Sequence, residues 1–334
     1  MAANDDAGMV EALRALGLLS AGERATTVPL SGGVSADVFA VRAASGEVFV
    51  VKRSIPRLRV AVDWRAPVTR DAVEVAWLRF VREVDPRLAP EVLAVAPQEH
   101  LFVMRYLEPA THPVWKQEMF AGRIDPRFAG EVGRDLARIH AAATARPQLA
   151  DAFGADGFVA LRTDPFLLFT AGRHPDVAER LRGLADDLAR RKTTLIQGDT
   201  SPKNILVGPA GPVFLDAETA AWGDAAFDLA FCLTHLLLKS IWLAGHYAAL
   251  MGSFDALRRA YVAGVDWEAS DALGVRAAAL VGALLLARVD GKSPSGYLDA
   301  PAEDEVRRRA KAILNRPGLD LDALRATWSA EWAS

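Results

Sequence analysis

Leu195 and Ile196 lead into Gln197-Gly198-Asp199, and Asn204 follows Asp199 by five positions. Ile205, Leu206 and Val207 form the next apolar run. Val213, Phe214 and Leu215 form another, which ends in Asp216 and continues as Ala217-Glu218. A short loop lets Asp199 and Asn204 face one cleft. Pro202 stiffens the loop, and the flanking apolar runs anchor it as buried strands. Two Gly and two Pro between 208 and 212 predict a tight turn, so the returning strand brings Asp216 beside Asn204. Two carboxylates and an amide so arranged suit phosphoryl transfer from ATP. One carboxylate orients and deprotonates the attacking hydroxyl; the amide and the other carboxylate hold Mg²⁺ ions that bridge the phosphates. Mg²⁺ is a hard ion that takes oxygen ligands. The pattern assigns Asp199 to the acceptor hydroxyl and Asn204 and Asp216 to the metal. A surface hairpin with scattered acids is the plainer alternative, but both aspartates sit at the ends of apolar strands.

Such a site needs elements that cover and grip the nucleotide. Residues 26–30, 38–41 and 48–51 read as strands. Between the first two lies Ser31-Gly32-Gly33-Val34-Ser35. Glycine lets backbone N–H groups approach phosphate, so Ser31, Gly32, Gly33 and Ser35 are candidate nucleotide contacts. Lys52 closes the apolar run Val48-Phe49-Val50-Val51 and can reach phosphate as a point charge. A full G-x4-G-K-[ST] phosphate loop is absent, which argues against a P-loop enzyme. Lysine on such a strand needs a partner. The helix expected over 69–84 has Val73, Trp77, Phe80, Val81 and Val84 at helical spacing, with Glu74 at the edge of that face. Glu74 is therefore the expected partner of Lys52. A basic insert with Trp64 joins the two elements, and residues 89–95 and 100–104 read as two more strands.

At these residues the chain resembles the aminoglycoside phosphotransferase and choline kinase family, small-molecule kinases that share the protein-kinase fold. Gly198-Asp199 through Asn204 matches that family's His-Gly-Asp-x4-Asn loop, with Gln197 in place of the His; Gln keeps one donor and one acceptor but cannot titrate. Asp216-Ala217-Glu218 matches its metal-binding Asp-x-Glu, and Glu218 is a candidate on the substrate side. Phe227-Asp228-Leu229 matches the segment in which Asp228 would brace the catalytic loop. The resemblance implies an α+β, bilobal protein-kinase-like fold, with a small β-rich lobe over 1–108 and a larger, mainly helical lobe over 109–334. It also implies ATP and Mg²⁺ as cofactors, and adenine contacts from the main chain of Arg105 and Leu107. The 55–67 insert is similar to that of the family's 5-methylthioribose kinases. These carry a paired Arg late in the chain where Ala287-Arg288 stands here, so Arg288 is a further substrate candidate, without its twin.

The remaining sequence sets bounds. A net charge of −3 on 334 residues implies no pull toward nucleic acid. The single cysteine, Cys232, excludes an internal disulfide framework. Residues 1–8 lack the basic and apolar regions of a signal peptide, and no membrane span is expected, so the chain is read as cytoplasmic, a monomer or homodimer. Helices are expected over 9–19, 115–122, 127–143, 175–191, 229–238, 254–264, 272–289 and 303–314, with a loop over 145–165. His140 lies on an apolar stripe as a core residue, and Trp328 and Trp332 dock the tail. The leading reading is an ATP-dependent kinase of a sugar-like or amino-alcohol hydroxyl. An aminoglycoside-inactivating enzyme would need acids gathered at the acceptor side, for which Asp266, Glu268, Asp271, Asp299, Glu303, Asp304 and Glu305 are candidates. A non-catalytic pseudokinase is favoured by Gln197 alone.

Overall fold

The computed structural model describes residues 2–30, 35–59, 64 and 67–330. Ser31, Gly32, Gly33 and Trp332 lie outside the described residues. The chain opens with α1 (Ala2–Ala15), and then β1 (Ala25–Pro29), β2 (Ala36–Ala43) and β3 (Val48–Ser54) form a meander. α2 (Arg70–Val84) separates it from β4 (Val92–Ala96) and β5 (Leu101–Arg105), and the antiparallel sheet has the order β1-β2-β3-β5-β4. α1 starts earlier than the apolar pattern alone suggests.

Alternation along β3 decides what Lys52 meets. Phe49 and Val51 face the α1 side, packing with Met9, Leu13 and Val103. Val50 faces the opposite side, with Val75, Leu78 and Phe102. Lys52 shares the face of Val50, since side chains two apart in a strand point the same way. It therefore looks toward α2.

The larger lobe holds α3 (Trp115–Phe120), α4 (Pro126–Thr144), short α5 (Asp156–Phe158) and α6 (Phe169–Arg173), and α7 (Ala178–Arg190). Two hairpin-like pairs follow: β6 (Thr194–Ile196) with β9 (Ala221–Gly223), and β7 (Ile205–Gly208) with β8 (Gly211–Phe214). The chain ends in α8 (Ala226–Trp242), α9 (Tyr247–Val262), α10 (Ser270–Asp290), α11 (Ala300–Leu314) and α12 (Leu321–Ala330). α10 is long and apolar enough to cross a membrane by length and composition, and 72% of its most apolar window is buried in the fold. It packs on α8, α11 and α12, which accounts for the apolar run. Residues 226–240 of α8 are all buried, Cys232 among them, and Trp328 docks on this helix through Nε1 to Ser240 Oγ at 3.1 Å.

One expectation is overturned. Residues 145–165, read as a loop, hold a 3₁₀ turn (Pro147–Ala152), α5, and then a wide π-helical stretch, Val159–Leu168, continuous with α6. Gly154, Gly157 and Pro165 look like breakers in sequence. Proline has no N–H to donate and crowds an ordinary α-helical turn, and the wider π turn tolerates it. Trp64 of the insert is buried, and its indole N–H donates to the Ala160 carbonyl at 2.9 Å, tying the small lobe to this helix.

Candidate active site

Lys52, Glu74 and Asp216 meet between the lobes. Lys52 Nζ lies 2.7 Å from Glu74 Oε2 and 2.5 Å from Asp216 Oδ1, although Asp216 is 164 residues away in sequence. Burial works against the ammonium charge, but Asp216, Glu74 and Glu218 outweigh it and hold the pKa above the ordinary lysine range. Burial pushes Glu74 up to about 7 against the pull of Lys52. Burial also works to raise Asp216, but Lys52 and Lys203 hold it below the usual carboxylate range. Asp216 has φ of 61°, a left-handed conformation uncommon outside glycine. Strained residues of this kind persist where the surroundings over-determine them.

The loop between β6 and β7 carries the second group. Asn204 Nδ2 donates to the Asp199 carboxylate at 2.7 Å and to its carbonyl at 3.0 Å. Among the described residues, nothing donates to the Asn204 amide oxygen or to Asp216 Oδ2, so one neutral and one anionic oxygen remain for a cation. That donor set fits a hard divalent ion, which takes few protein oxygens and fills its shell from phosphate and water.

Asp228, at the start of α8, fixes the loop. Its carboxylate accepts the backbone N–H of Gln197 at 2.7 Å and of Gly198 at 2.8 Å, and His140 Nε2 lies 3.2 Å away. His140 Nδ1 meets the Tyr261 hydroxyl at 2.7 Å, so this histidine is a buried core residue. Gln197 uses both ends of its amide. It donates to the Leu215 carbonyl at 2.5 Å and accepts from the Thr200 hydroxyl at 2.5 Å, which ties the Asp199 loop to the strand leading into Asp216. Gly198 has φ of 77°, and a Cβ there would stand 2.6 Å from the Thr219 carbonyl, so only glycine fits.

Residues 26–262 match the phosphotransferase enzyme family. The chain belongs to that family. A methylthioribose kinase of Yersinia enterocolitica is 27% identical to this phosphotransferase-family chain over 247 residues, 66% of this chain and 60% of that protein. The chain spans between 55% and 60% of the length of the curated relatives it matches. Among solved structures, a choline/ethanolamine kinase family protein from Mesorhizobium loti has a TM-score of 0.56 at 21% identity, covering 96% of this chain and 99% of that one. An amicoumacin kinase in complex with AMP-PNP, Ca²⁺ and Ami also has a TM-score of 0.56, at 15% identity, covering 87% and 89%. The fold is thus the α+β, protein-kinase-like fold of the phosphotransferase family.

Several of the expected residues are already engaged by the protein's own groups. Glu218 pairs with the buried Arg70 at 2.8 Å, so its carboxylate ties α2 to the Asp216 segment. Ser35 is buried, and its carbonyl accepts from Arg70 and from the Ile55 N–H. The N–H of Arg105 is taken by the Glu91 carbonyl at 2.8 Å, and its side chain pairs with Glu91. Leu107 has no main-chain bond among the described residues. Arg288 ends α10, where its guanidinium donates to the Ser293 carbonyl and lies 5.9 Å from the Phe166 ring. Of the acidic candidates, Glu268, Glu303, Asp304 and Glu305 are paired with arginines, and Asp299 caps α11.

Two cations at Asp199 were not expected from sequence. Arg162 Nη2 and Lys203 Nζ each lie 3.0 Å from Asp199 Oδ2, and Arg162 Nε donates to the Gly198 carbonyl at 2.5 Å. Lys203 sits in the motif, so i,i+4 spacing could have flagged it. Arg162 carries no such signal, because its helix reads as a loop.

Proposed function

We propose that this chain is an ATP-dependent small-molecule kinase that moves the γ-phosphoryl group to a substrate hydroxyl. The observation that carries the reading is the buried Lys52 held between Glu74 and Asp216, with Leu215, next to Asp216, donating its N–H to the carbonyl of Asn204 at 2.9 Å. Lys52 would hold the nucleotide phosphates, with Glu74 fixing its position. Leu107 offers free main-chain groups to adenine. Asn204 and Asp216 would hold Mg²⁺, which when bound neutralises phosphate oxygens. Asp199 accepts the hydroxyl proton and passes it to solvent. The hydroxyl oxygen forms its new bond to the γ-phosphorus as the bond to the bridging oxygen breaks, and ADP leaves. Asn204, Arg162 and Lys203 keep the Asp199 carboxylate aimed. Most of this catalysis is positioning and electrostatics.

The related proteins support the reading in kind. The curated relatives are methylthioribose kinases, and one solved neighbour is a kinase in complex with AMP-PNP, Ca²⁺ and Ami. The test is ADP release with Mg²⁺ and ATP across hydroxyl acceptors, including methylthioribose, choline and aminoglycosides. Acceptor-dependent release that disappears in Asp199→Asn is the expected result. Failure of the protein to bind Mg²⁺·ATP at all would overturn the reading.

A further inference from the structure

Beyond Asp199, four elements of the larger lobe converge: α3, the π-helical stretch, α8, and the segment after α10. Three cations point into this region: Lys116 from α3, Lys239 from α8 and Arg288 from α10. None has a carboxylate within salt-bridge distance among the described residues. Lys239 is 1% exposed, and its ammonium has one long contact, 3.5 Å to the His235 carbonyl. Buried charges are ordinarily paired, because an unpaired one costs several kcal/mol of desolvation. Burial together with Lys116 and Arg288 pushes Lys239 down to about 7. Burial, Lys203 and Arg288 lower Lys116, and burial also lowers Arg288. His235 on the same helix is held well below the ordinary range by burial and these same cations, so it stays neutral and adds no further positive charge.

The surroundings lack partners too. Arg288 Nε and the Tyr297 hydroxyl are buried without a hydrogen bond. Phe120, Trp242 and Tyr297 form an aromatic trio with centroids 4.4 to 5.9 Å apart, and Phe120 and Trp242 are each 37% exposed, which opens the region to solvent. Such a trio could receive a cationic head group. Here two of the chain's own ammonium groups already occupy it. Lys116 Nζ lies 5.2 Å from the Phe120 centroid and 5.9 Å from that of Tyr297, and Lys239 Nζ lies 5.9 and 5.6 Å from the same rings. Arg162 and Arg288 both lie against Phe166, which links the cluster to the cations at Asp199.

We propose that Lys116, Lys239 and Arg288, with the Tyr297 hydroxyl, form an anion-binding site for the acceptor, so that the hydroxyl substrate itself bears a phosphate, carboxylate or sulfonate. Its use for an acceptor rests on the kinase reading; the anion site does not. An anion here supplies the counter-charge that the fold omits, and charge-assisted hydrogen bonds are the strong ones. A polycationic acceptor would meet three like charges.

Two arms test this. The first is calorimetric titration of inorganic phosphate without nucleotide, at ionic strength held constant with chloride. Saturable binding is expected, weakened about tenfold or more in Lys116→Met and in Lys239→Met, the loss of one charge-assisted contact. Lys116 is half-buried, so Lys116→Met keeps the test decisive if Lys239→Met fails to fold. No saturable binding, or equal affinity in wild type and Lys116→Met, would overturn the site. The second arm compares ADP release for matched acceptors: glycerol against glycerol 3-phosphate and glycerate, and ribose against ribose 5-phosphate, with choline and kanamycin as cations. The anionic member of each pair should have the higher kcat/KM. Phosphate binding with no such preference would assign the anion to the phosphorylated product and overturn the substrate assignment. Phosphate binding lost in Lys116→Met, in a protein that releases ADP with no acceptor, would uphold the anion site and count against the kinase reading instead.

Discussion

Replacing Asp228 with Asn changes one atom at the point where α8 holds the catalytic loop. The carboxylate accepts two backbone N–H groups, from Gln197 and Gly198, and is fully buried. Asn keeps one oxygen and one of those bonds, and turns an amide N–H toward the other donor. The lost bond to a charged acceptor is worth about 1.5–3 kcal/mol, and the stranded buried N–H costs about 1–3 kcal/mol more. Part of this is offset, because a charge no longer has to be buried. The net expectation is a destabilisation of about 2–4 kcal/mol, a factor of roughly 30 to 1,000 in the folded-to-unfolded ratio. The displaced loop also carries Asp199, so kcat should fall with KM for ATP little changed. Urea denaturation with ADP-release kinetics on the same preparations measures both. An Asp228→Asn protein within about 1 kcal/mol of wild type, with wild-type kcat, would refute the claim that this carboxylate sets the loop.

Arg162→Met removes contacts to Asp199 and to the Gly198 carbonyl while keeping the packing against Phe166. Kcat should fall about 10- to 100-fold, and a rise in acceptor KM alone would contradict a positioning role. Gln197→Ala frees the Leu215 carbonyl and the Thr200 hydroxyl beside Asp216. The Mg²⁺ dependence of ADP release should shift several-fold toward higher metal, with a lower denaturation midpoint. Lys239 supplies a pH signature. Its pKa is about 7 in the fold against an ordinary 10.5, through burial and the neighbouring Lys116 and Arg288. Across that interval the unfolded chain holds more protons, so the Lys239 contribution to stability rises with pH, by at most about 1.4 kcal/mol per unit. Subtracting the Lys239→Met profile from that of wild type should leave that rising slope above about pH 7, and a flat difference would show that folded Lys239 keeps its proton, and so its charge, across the whole interval.

The division between sequence and structure follows the range of the interactions. Strand alternation and helical spacing are local, and they were enough to place five strands in the small lobe, to put Lys52 at the end of the third apolar run, and to pick Glu74 from its helix. The motif from Gln197 to Asp216 was also legible, because its geometry is built by a loop and a tight hairpin within twenty residues. Partners that come from far along the chain were not. Glu218 looked free until α2 delivered Arg70 to it from 148 positions away. Arg162 was hidden because Pro165 and two glycines resemble breakers, and only packing of the larger lobe makes a π-helical turn worth its cost. Lys239 falls one residue beyond a run that reads as plain apolar core. Its meaning depends on α3, α8 and α10 converging, since a sequence shows where a charge is but not which opposite charge fails to meet it. Short-range periodicity therefore made the proposed catalytic residues legible, and tertiary packing alone gathered the cations that lie beyond them without a carboxylate partner.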